Sequence, residues 1–295
     1  RLRPRVVLNF TIKNNIYGTF ASKLLYISSI NNISGLGTAF IHNDIKFKLV
    51  RLLYSFALPL STKIFCQNSE DKDLLVTKLG VKAELIDITP GSGVDINRFN
   101  PKKKTRIICP DNKFRFIYTG RFIKDKGIFE LIEAFKQLYK ENANAELWLV
   151  GFRENDNFSA INSSTIKEWS DHPSISILNP THEIENILGD ADCLVLPSYR
   201  EGLSKSILEA CAMSLPVICS NVPGCNSVIQ DGVNGLYCKP KNSNSLKKVM
   251  NNMLSMEKTA IDNMGKRGRK IIKEKFDESI VINQTLNAIK EVYEI

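Results

Sequence analysis

The chain has 295 residues, of which 43% are hydrophobic and 24% charged, so a disordered or fibrous protein is excluded and two α/β domains of ordinary size are possible. The 40 basic and 31 acidic residues give a net charge of +9, which favours an anionic partner, but no basic run is interleaved with aromatic residues as in nucleic-acid-binding proteins. No apolar run has transmembrane length, and seven cysteines without CxxC spacing indicate reduced core thiols in a cytoplasmic protein.

The first hundred residues alternate between predicted strands and predicted helices. Strands are predicted at residues 5–10, 63–66 and 83–88, and helices at 16–25, 47–57 and 69–79. Ser69 is the expected N-cap of the last of these helices. The alternation looks like the second half of an α/β domain, so we expect the amino-terminal part of that domain to be missing from the chain.

Two glycine pairs interrupt this first part. Gly35 and Gly37 form either an anion-binding nest or a simple turn, whereas Gly91 and Gly93 form a turn or a hinge.

A linker is predicted at residues 100–104, and a more complete alternation follows it. Strands are predicted at 114–119, 146–150, 174–178, 193–196 and 216–219, and helices at 127–140, 243–254, 257–276 and 278–293. Strands that alternate with helices imply a parallel, doubly wound sheet. The expected domains are therefore a partial first domain at 1–100 and a second domain at 101–277, followed by a final helix at 278–295.

Two carboxylates follow the predicted strand at 193–196. Residues 196–212 read L-P-S-Y-R-E-G-L-S-K-S-I-L-E-A-C-A, with Glu201 in the turn and Glu209 about two turns into a helix. Carboxylates accept hydrogen bonds from sugar hydroxyls, and a helix start binds phosphate, so this loop suits a ligand that is both polyhydroxylated and anionic. The alternative is a pair of ordinary surface glutamates.

A basic loop follows the predicted strand at 114–119. In it, Gly120 permits a tight turn, and Arg121 and Lys126 place two cations near the next helix start. Two fixed cations can neutralise a departing nucleoside diphosphate without a metal ion. By itself the loop is equally well explained as ordinary surface. However, this loop and the turn at Glu201 both follow strands, so they are expected at the same edge of the sheet, which favours a binding site.

These segments resemble family 4 glycosyltransferases, which are retaining enzymes of GT-B fold. The matching blocks are G-R-F-I-K-D-K-G, L-P-S-Y-R-E-G-L-S-K-S-I-L-E-A, P-V-I-C-S-N-V-P-G and D-G-V-N-G-L, in the family's order and approximate spacing. The resemblance implies two Rossmann-like domains with doubly wound parallel sheets, the first incomplete. It also implies that the final helix crosses back to the first, acceptor-side domain.

The resemblance assigns roles to individual residues. It implies that Arg121 and Lys126 hold the donor diphosphate, that Glu209 holds the ribose hydroxyls, and that Glu201 lies near the donor sugar. The implied catalytic residues are Arg121, Lys126 and Glu201. The implied donor-binding residues are Gly120, Arg121, Lys126, Glu201, Gly202, Leu203, Ser204 and Glu209.

No metal ligand is expected. Asp190 and Asp192 form the D-x-D pattern that binds metal in the other large glycosyltransferase fold, GT-A. Here the pattern directly precedes the predicted strand at 193–196, so it lies at the amino end of that strand, whereas ligands bind at carboxyl ends. We interpret the two aspartates as turn residues.

Segments of the first domain resemble bacterial enzymes that extend undecaprenyl-diphosphate-linked sugars, among them N-acetylhexosaminyltransferases. These segments are residues 11–18, 32–37 and 90–95. The resemblance implies transfer of an N-acetylhexosamine from a UDP-sugar to a lipid-linked or surface-polysaccharide acceptor, without a cofactor and without nucleic acid. The implied location is the cytoplasm, with peripheral contact on the inner membrane. Many relatives carry an acceptor-side histidine, but His42 lies beyond the matching turn.

Two alternatives remain open at this stage, a nucleotide-sugar epimerase of GT-B type and a non-catalytic sugar-nucleotide-binding remnant. Release of UDP only in the presence of an acceptor would favour the transferase, and UDP binding without turnover would favour the remnant.

Overall fold

The computed structural model describes residues 4–36, 40, 44–103, 113–153 and 159–294. Residue contacts divide the chain into two compact units. Unit 1 comprises Arg1–Gly93, Glu201–Ser204 and Phe276–Ile295, and unit 2 comprises Val94–Arg200 and Lys205–Lys275. Each unit is built on a parallel sheet that is covered by helices, as the alternation of strands and helices in the sequence predicts.

The first seven elements belong to unit 1. They are β1 (Val6–Phe10), α1 (Ile12–Leu24), β2 (Ser28–Asn32), α2 (Ile45–Ala57), β3 (Lys63–Cys66), α3 (Ser69–Leu79) and β4 (Ile86–Ile88). In the described part of the chain the strand order is β1-β2-β3-β4, with every pair parallel. Residues 83–85, predicted as part of the fourth strand, instead form a 3₁₀ turn before it.

Side chains alternate between the two faces of this sheet. Ile64 and Cys66 of β3 point to one face, where they pack with buried residues of α1, α2 and α3. Phe65 lies between them and packs on the opposite face. This is the period-two pattern of a strand that is buried on both sides. Helices α1, α2 and α3 therefore cover one face of the sheet.

Strand β2 is not predicted from the sequence, because it reads Ser-Ser-Ile-Asn-Asn. The side chain of Asn31 is fully buried, yet it accepts a hydrogen bond from Asn9 Nδ2 at 2.8 Å. It also donates to Thr19 Oγ1 at 2.7 Å and to Ser61 Oγ at 2.6 Å. Buried polar groups are tolerated in a core when their hydrogen bonds are made. The network thus takes the place of apolar alternation in this strand.

Unit 2 holds a larger sheet. Its elements are β5 (Phe114–Thr119), α4 (Ile128–Glu141), β6 (Ala145–Val150), α5 (Ser163–Ser170), β7 (Ile175–Leu178), α6 (Ile184–Asp190), β8 (Cys193–Leu196), α7 (Lys205–Ala212), β9 (Val217–Ser220), β10 (Gly235–Cys238), α8 (Ser243–Ser255) and α9 (Lys258–Lys275). The strand order is β10-β9-β8-β5-β6-β7, all parallel. Strand β10 is not predicted from the sequence.

The strand order reverses between β5 and β8. The chain moves outward from β5 to β6 and β7, and then returns to place β8 on the other side of β5. In open α/β sheets, ligands bind outside the carboxyl ends of the strands at such a reversal. A ligand site is therefore expected at the loops that follow β5 and β8.

The last helix, α10 (Glu278–Glu294), packs in unit 1 on the sheet face opposite α1, α2 and α3. Its buried residues Ala288 and Val292 contact β2 and β3. The sequence pattern also predicts Ile282 and Leu286 on the buried stripe, but these side chains are 52% and 48% exposed. The burial is confined to the carboxyl half of the helix, where it lies over the strands.

The cysteines within the described residues are buried free thiols, as the sequence predicts. Burial raises the pKa of Cys66 and of Cys211 to about 12, so both stay protonated and unreactive at neutral pH. Cys109 lies outside the described residues.

Candidate active site

The basic loop starts directly after β5. The Gly120 amide donates to the Val150 carbonyl at 3.0 Å, and the buried Tyr118 hydroxyl donates to the Arg121 carbonyl at 2.7 Å. These bonds hold the backbone of the turn, while the Arg121 side chain lies at the surface. A Cβ atom on Gly151 would lie 1.9 Å from the Gly120 carbonyl oxygen, so glycine at the end of β6 is required for this close approach.

Lys126 belongs to a single 3₁₀ turn, Lys124–Lys126, which ends at Gly127. Gly127 has a φ of +70° and directly precedes α4, so the half-buried Lys126 is positioned at the start of that helix. The structure therefore places both predicted cations on one short loop between β5 and α4.

The loops that follow β5 and β8 are packed against each other. The Tyr199 amide donates to the Asp125 carbonyl at 2.9 Å. A Cβ atom on Gly127 would lie 2.1 Å from the carbonyl oxygen of Pro197, so the two backbones are in direct contact. The loops after β5 and β8 therefore meet at one edge of the sheet, whereas the turn at Glu201, which the sequence also predicts at this edge, belongs to unit 1.

Helix α7 starts at the same edge. The Ser206 hydroxyl donates to the carbonyl of Thr119, the last residue of β5, at 2.8 Å. Glu209 follows three residues later, and its side chain is only 12% exposed. Burial raises the pKa of Glu209, and the positive charges of Lys205 and Arg98 partly oppose this shift. Glu209 is therefore a mostly buried carboxylate in unit 2.

Arg98 and Glu185 form an ion pair whose charges both act on Glu209. Arg98 Nε and Nη2 donate to the two carboxylate oxygens of Glu185 at 3.1 and 2.8 Å. This fork lowers the pKa of Glu185. No sequence pattern predicts the pair, because its members are 87 residues apart and neither lies in a motif.

The segment Glu201–Ser204 belongs to unit 1. Asn68 Nδ2 donates to the Gly202 carbonyl at 2.7 Å, and a Cβ atom on Gly202 would lie 2.1 Å from the Ser34 carbonyl oxygen. Gly35, with a φ of +128°, also packs on the Gly202 backbone. From the sequence, the turn at Gly35 is either an anion-binding nest or a simple turn. In the structure, Gly35 helps to hold the segment Glu201–Ser204 in place.

The predicted site residues thus fall into two groups. Unit 2 contains Gly120, Arg121, Lys126 and Glu209, and unit 1 contains Glu201, Gly202, Leu203 and Ser204. In each group, the backbone around the site residues is held by hydrogen bonds to its carbonyl groups and by close glycine contacts within the same unit.

The D-x-D pattern lies at the amino end of β8, as predicted. Asp190 is the last residue of α6, and Asp192 Oδ2 accepts a hydrogen bond from the Arg115 amide at 2.9 Å. Within the described residues, no group of three or more histidines, cysteines or carboxylates is arranged to hold a metal ion. His42 lies outside the described residues.

Known structures establish the fold class. The Anabaena protein HepE, solved in complex with UDP and glucose, superimposes with a TM-score of 0.81 at 18% identity, covering 96% of this chain and 77% of that one. The chain therefore has the GT-B fold of glycosyltransferases.

The family follows from the sequence of unit 2. Residues 99–271 match the family model described as Glycosyl transferases group 1, and the chain belongs to that family. The Staphylococcus aureus capsular polysaccharide biosynthesis glycosyltransferase CapM is 25% identical over 288 residues, covering 95% of this chain and 74% of that protein. The N,N'-diacetylbacillosaminyl-diphospho-undecaprenol alpha-1,3-N-acetylgalactosaminyltransferase of Campylobacter jejuni is 28% identical over 293 residues, covering 95% of this chain and 75% of that protein. The protein is a glycosyltransferase.

Proposed function

We propose that the protein is a retaining glycosyltransferase that moves an N-acetylhexosamine from a UDP-sugar to a lipid-linked or surface-polysaccharide acceptor. The observation that carries this proposal is the junction of the loops after β5 and β8, which brings the basic loop and the start of α7 to one edge of the sheet. The name of the Campylobacter relative specifies a diphospho-undecaprenol substrate, and the Anabaena structure contains UDP, both of which support the assignment.

In the proposed reaction, the bond between the donor sugar and UDP breaks, and a bond forms to an acceptor hydroxyl, which loses its proton. Negative charge then develops on the departing diphosphate. Arg121 and Lys126 stabilise this charge, because the turn at Gly120 and the helix start at Gly127 fix the backbone that carries them. Guanidinium groups match phosphate oxygens in pairs, which makes arginine suited to this role.

We assign Glu209 to the ribose of the nucleotide. An ionised carboxylate has only acceptor oxygens, so it pairs with the two donors of a ribose diol. The family resemblance further assigns the donor sugar to Glu201 and the adjoining backbone N–H groups of Gly202, Leu203 and Ser204. Asn68 donates to the Gly202 carbonyl, which fixes the orientation of the Leu203 N–H in the same planar peptide group.

A donor screen tests the proposal. Full-length protein is incubated with each UDP-sugar, with and without a membrane lipid extract, and free UDP is measured. We expect UDP release that requires both one donor and the lipid extract. Interconversion of the donor sugar without an acceptor would indicate an epimerase, and binding without turnover under all conditions would contradict the proposal.

Turnover is expected to survive excess EDTA. Arg121 and Lys126 supply the positive charge that a metal ion supplies in metal-dependent transferases. The check is the rate of UDP release before and after chelation. Loss of the rate on chelation, with recovery in Mg²⁺ or Mn²⁺, would contradict this expectation and bring Asp190 and Asp192 back into consideration.

Glu209→Gln is expected to weaken UDP binding by about 1.5–3 kcal/mol, on the order of 10- to 100-fold in Kd, because hydrogen bonds to a charged group are lost. The same change should stabilise the free protein at neutral pH. The pKa of Glu209 is raised in the folded state, so the folded state binds more protons than the unfolded state above the ordinary value of 4.5. As the pH rises above 4.5, ionisation of Glu209 therefore lowers the free energy of unfolding, and glutamine, which does not ionise, avoids this loss.

Calorimetry with UDP and thermal unfolding at several pH values check this pair of effects. The gain in Tm of the variant should disappear at low pH, where Glu209 of the parent is protonated. Unchanged UDP affinity in the folded variant would remove Glu209 from the site.

A further inference from the structure

Helix α2 has two apolar stripes, and the core uses only one of them. The stripe that packs on the first sheet consists of Val50, Leu53, Tyr54 and Ala57. The second stripe follows steps of four, three and four residues, which places its members on one side of the helix. Its side chains are 82%, 55%, 52% and 62% exposed and belong to Ile45, Leu49, Leu52 and Phe56. We refer to these four residues as the α2 face.

Basic residues flank the α2 face along its length, and the exposed Asp44 precedes Ile45 at its amino end. The α2 sequence contains three basic residues and no acidic one. Beside the face, a groove of 540 Å³ between α2 and α3 is lined by apolar side chains together with Lys48, Arg51 and Lys78. None of the described residues that line this groove is acidic. Apolar residues flanked by cations form the pattern of a helix that lies on an anionic membrane surface.

The end of α1 lies at the same edge of the first sheet as the end of α2. Helices α1 and α2 pack together, and both return from the carboxyl to the amino ends of parallel strands, so they end at one edge of the sheet. Leu24, Leu25 and Tyr26 at the end of α1 are 79%, 67% and 98% exposed. We refer to these three residues as the α1 tip.

Tyr26 provides a separate observation. Its φ is +56°, the left-handed conformation that glycine usually supplies after a helix end. A bulky residue in this conformation is strained, and burial of the side chain offers no compensation here because it is almost fully exposed. Tyrosine is enriched at the boundary between water and lipid, where its ring is apolar and its hydroxyl stays hydrated.

We propose that the α2 face and the α1 tip dock on the surface of an anionic lipid bilayer. The charge of the groove decides the partner, because a second copy of this face would bring cations against cations. The proposal rests on the proposed function only in that a lipid-linked acceptor resides in a bilayer. Docking would hold unit 1 at the surface where that acceptor is found.

Cosedimentation of the full-length protein with vesicles tests the docking. One set of vesicles contains phosphatidylcholine alone, and the other also contains phosphatidylglycerol. We expect binding to the anionic vesicles that weakens as salt is added. Leu49→Gln/Leu52→Gln should reduce this binding about 10-fold or more. The matched control is Ile282→Gln/Leu286→Gln, which changes two side chains of similar exposure, 52% and 48%, on α10 and should leave binding unchanged.

A parallel pair of variants tests the charges. Lys48→Gln/Lys78→Gln should weaken binding to anionic vesicles and reduce its salt dependence. Lys266→Gln/Lys270→Gln removes the same charge from exposed positions of α9 and should have a much smaller effect. Equal losses from the two pairs would mean that only net charge matters and would overturn the proposal.

Tyr26→Gly separates docking from folding. Glycine relieves the left-handed strain, so Tm should stay constant or rise while vesicle binding falls. Unchanged binding in this variant and in Leu49→Gln/Leu52→Gln would overturn the proposal. So would concentration-dependent self-association, without vesicles, that Leu49→Gln/Leu52→Gln abolishes, since the face would then bind a second copy. UDP affinity should be the same in all these variants. In the unaltered protein, failure to bind anionic vesicles together with normal UDP binding would overturn the docking alone, and vesicle binding without UDP binding would overturn the proposed function alone.

Discussion

Replacing Arg121 or Lys126 by methionine is expected to lower turnover by about 100- to 1,000-fold, the usual cost of removing one fixed donor that stabilises developing charge. The loss should be larger in turnover than in UDP affinity, because the diphosphate gains its extra charge only as the bond to the sugar breaks. Folding should be preserved, since the turn is held through backbone groups and the Tyr118 hydroxyl.

Lys124→Met is the matched control for these two variants. Lys124 lies in the same 3₁₀ turn, and its side chain is exposed. Its backbone amide, which the substitution retains, donates to the Ser159 carbonyl at 2.9 Å. Turnover is measured for all three variants at saturating donor. A loss in Lys124→Met equal to that in Arg121→Met would show a general effect of surface charge and contradict the assigned roles.

Gly127→Ala is expected to destabilise the protein by about 2–5 kcal/mol, combining the left-handed backbone cost with a clash against fixed backbone. The new Cβ would lie 2.1 Å from the Pro197 carbonyl oxygen, which no rotamer change can relieve. Relief requires the loops after β5 and β8 to separate. We therefore expect UDP affinity to fall together with stability.

Gly232→Ala isolates the backbone part of this effect. Gly232 also lies in unit 2 and has a φ of +73°, but a Cβ there meets no atom within 4 Å. Gly232→Ala should lower the free energy of unfolding by about 1–2 kcal/mol, which is the cost of the left-handed conformation alone. Chemical denaturation measures both variants, and UDP titration of the folded proteins follows. Equal destabilisation by the two substitutions would mean that the contact between the loops is unimportant.

The sequence predicts well those elements whose local pattern agrees with their burial. Strands β3 and β8 were predicted with the observed bounds, because each is a short run of mostly apolar residues that becomes a buried strand. Strand β2 was missed because long-range hydrogen bonds around Asn31 stabilise it, and no local pattern reports them. The N-cap of α3 is Asn68 and not Ser69, since Asn68 accepts the Asp71 amide at 2.7 Å.

In the candidate site too, residues in local motifs can be proposed from the sequence, whereas contacts between distant residues cannot. Arg121, Lys126 and Glu209 stand in contiguous motifs that follow strand ends, so the sequence alone proposes them as site residues, and it predicts the loop of Arg121 and the turn at Glu201 at one edge of the sheet. The Arg98–Glu185 pair and the contact of Asn68 with Gly202 join residues 87 and 134 positions apart. One sequence carries no signal for such pairs, since the tertiary fold alone brings them together.

Amide hydrogen exchange with and without UDP tests whether the loop after β5 and the start of α7 bind the nucleotide. We expect UDP to slow exchange in residues 119–127 and 205–209 of unit 2, while exchange in β7 and α8, away from the strand reversal, stays unchanged. Protection should be lost in Glu209→Gln at the same UDP concentration and retained in Lys124→Met. UDP binding that leaves residues 119–127 and 205–209 unprotected and protects another part of the chain would contradict the proposed nucleotide site.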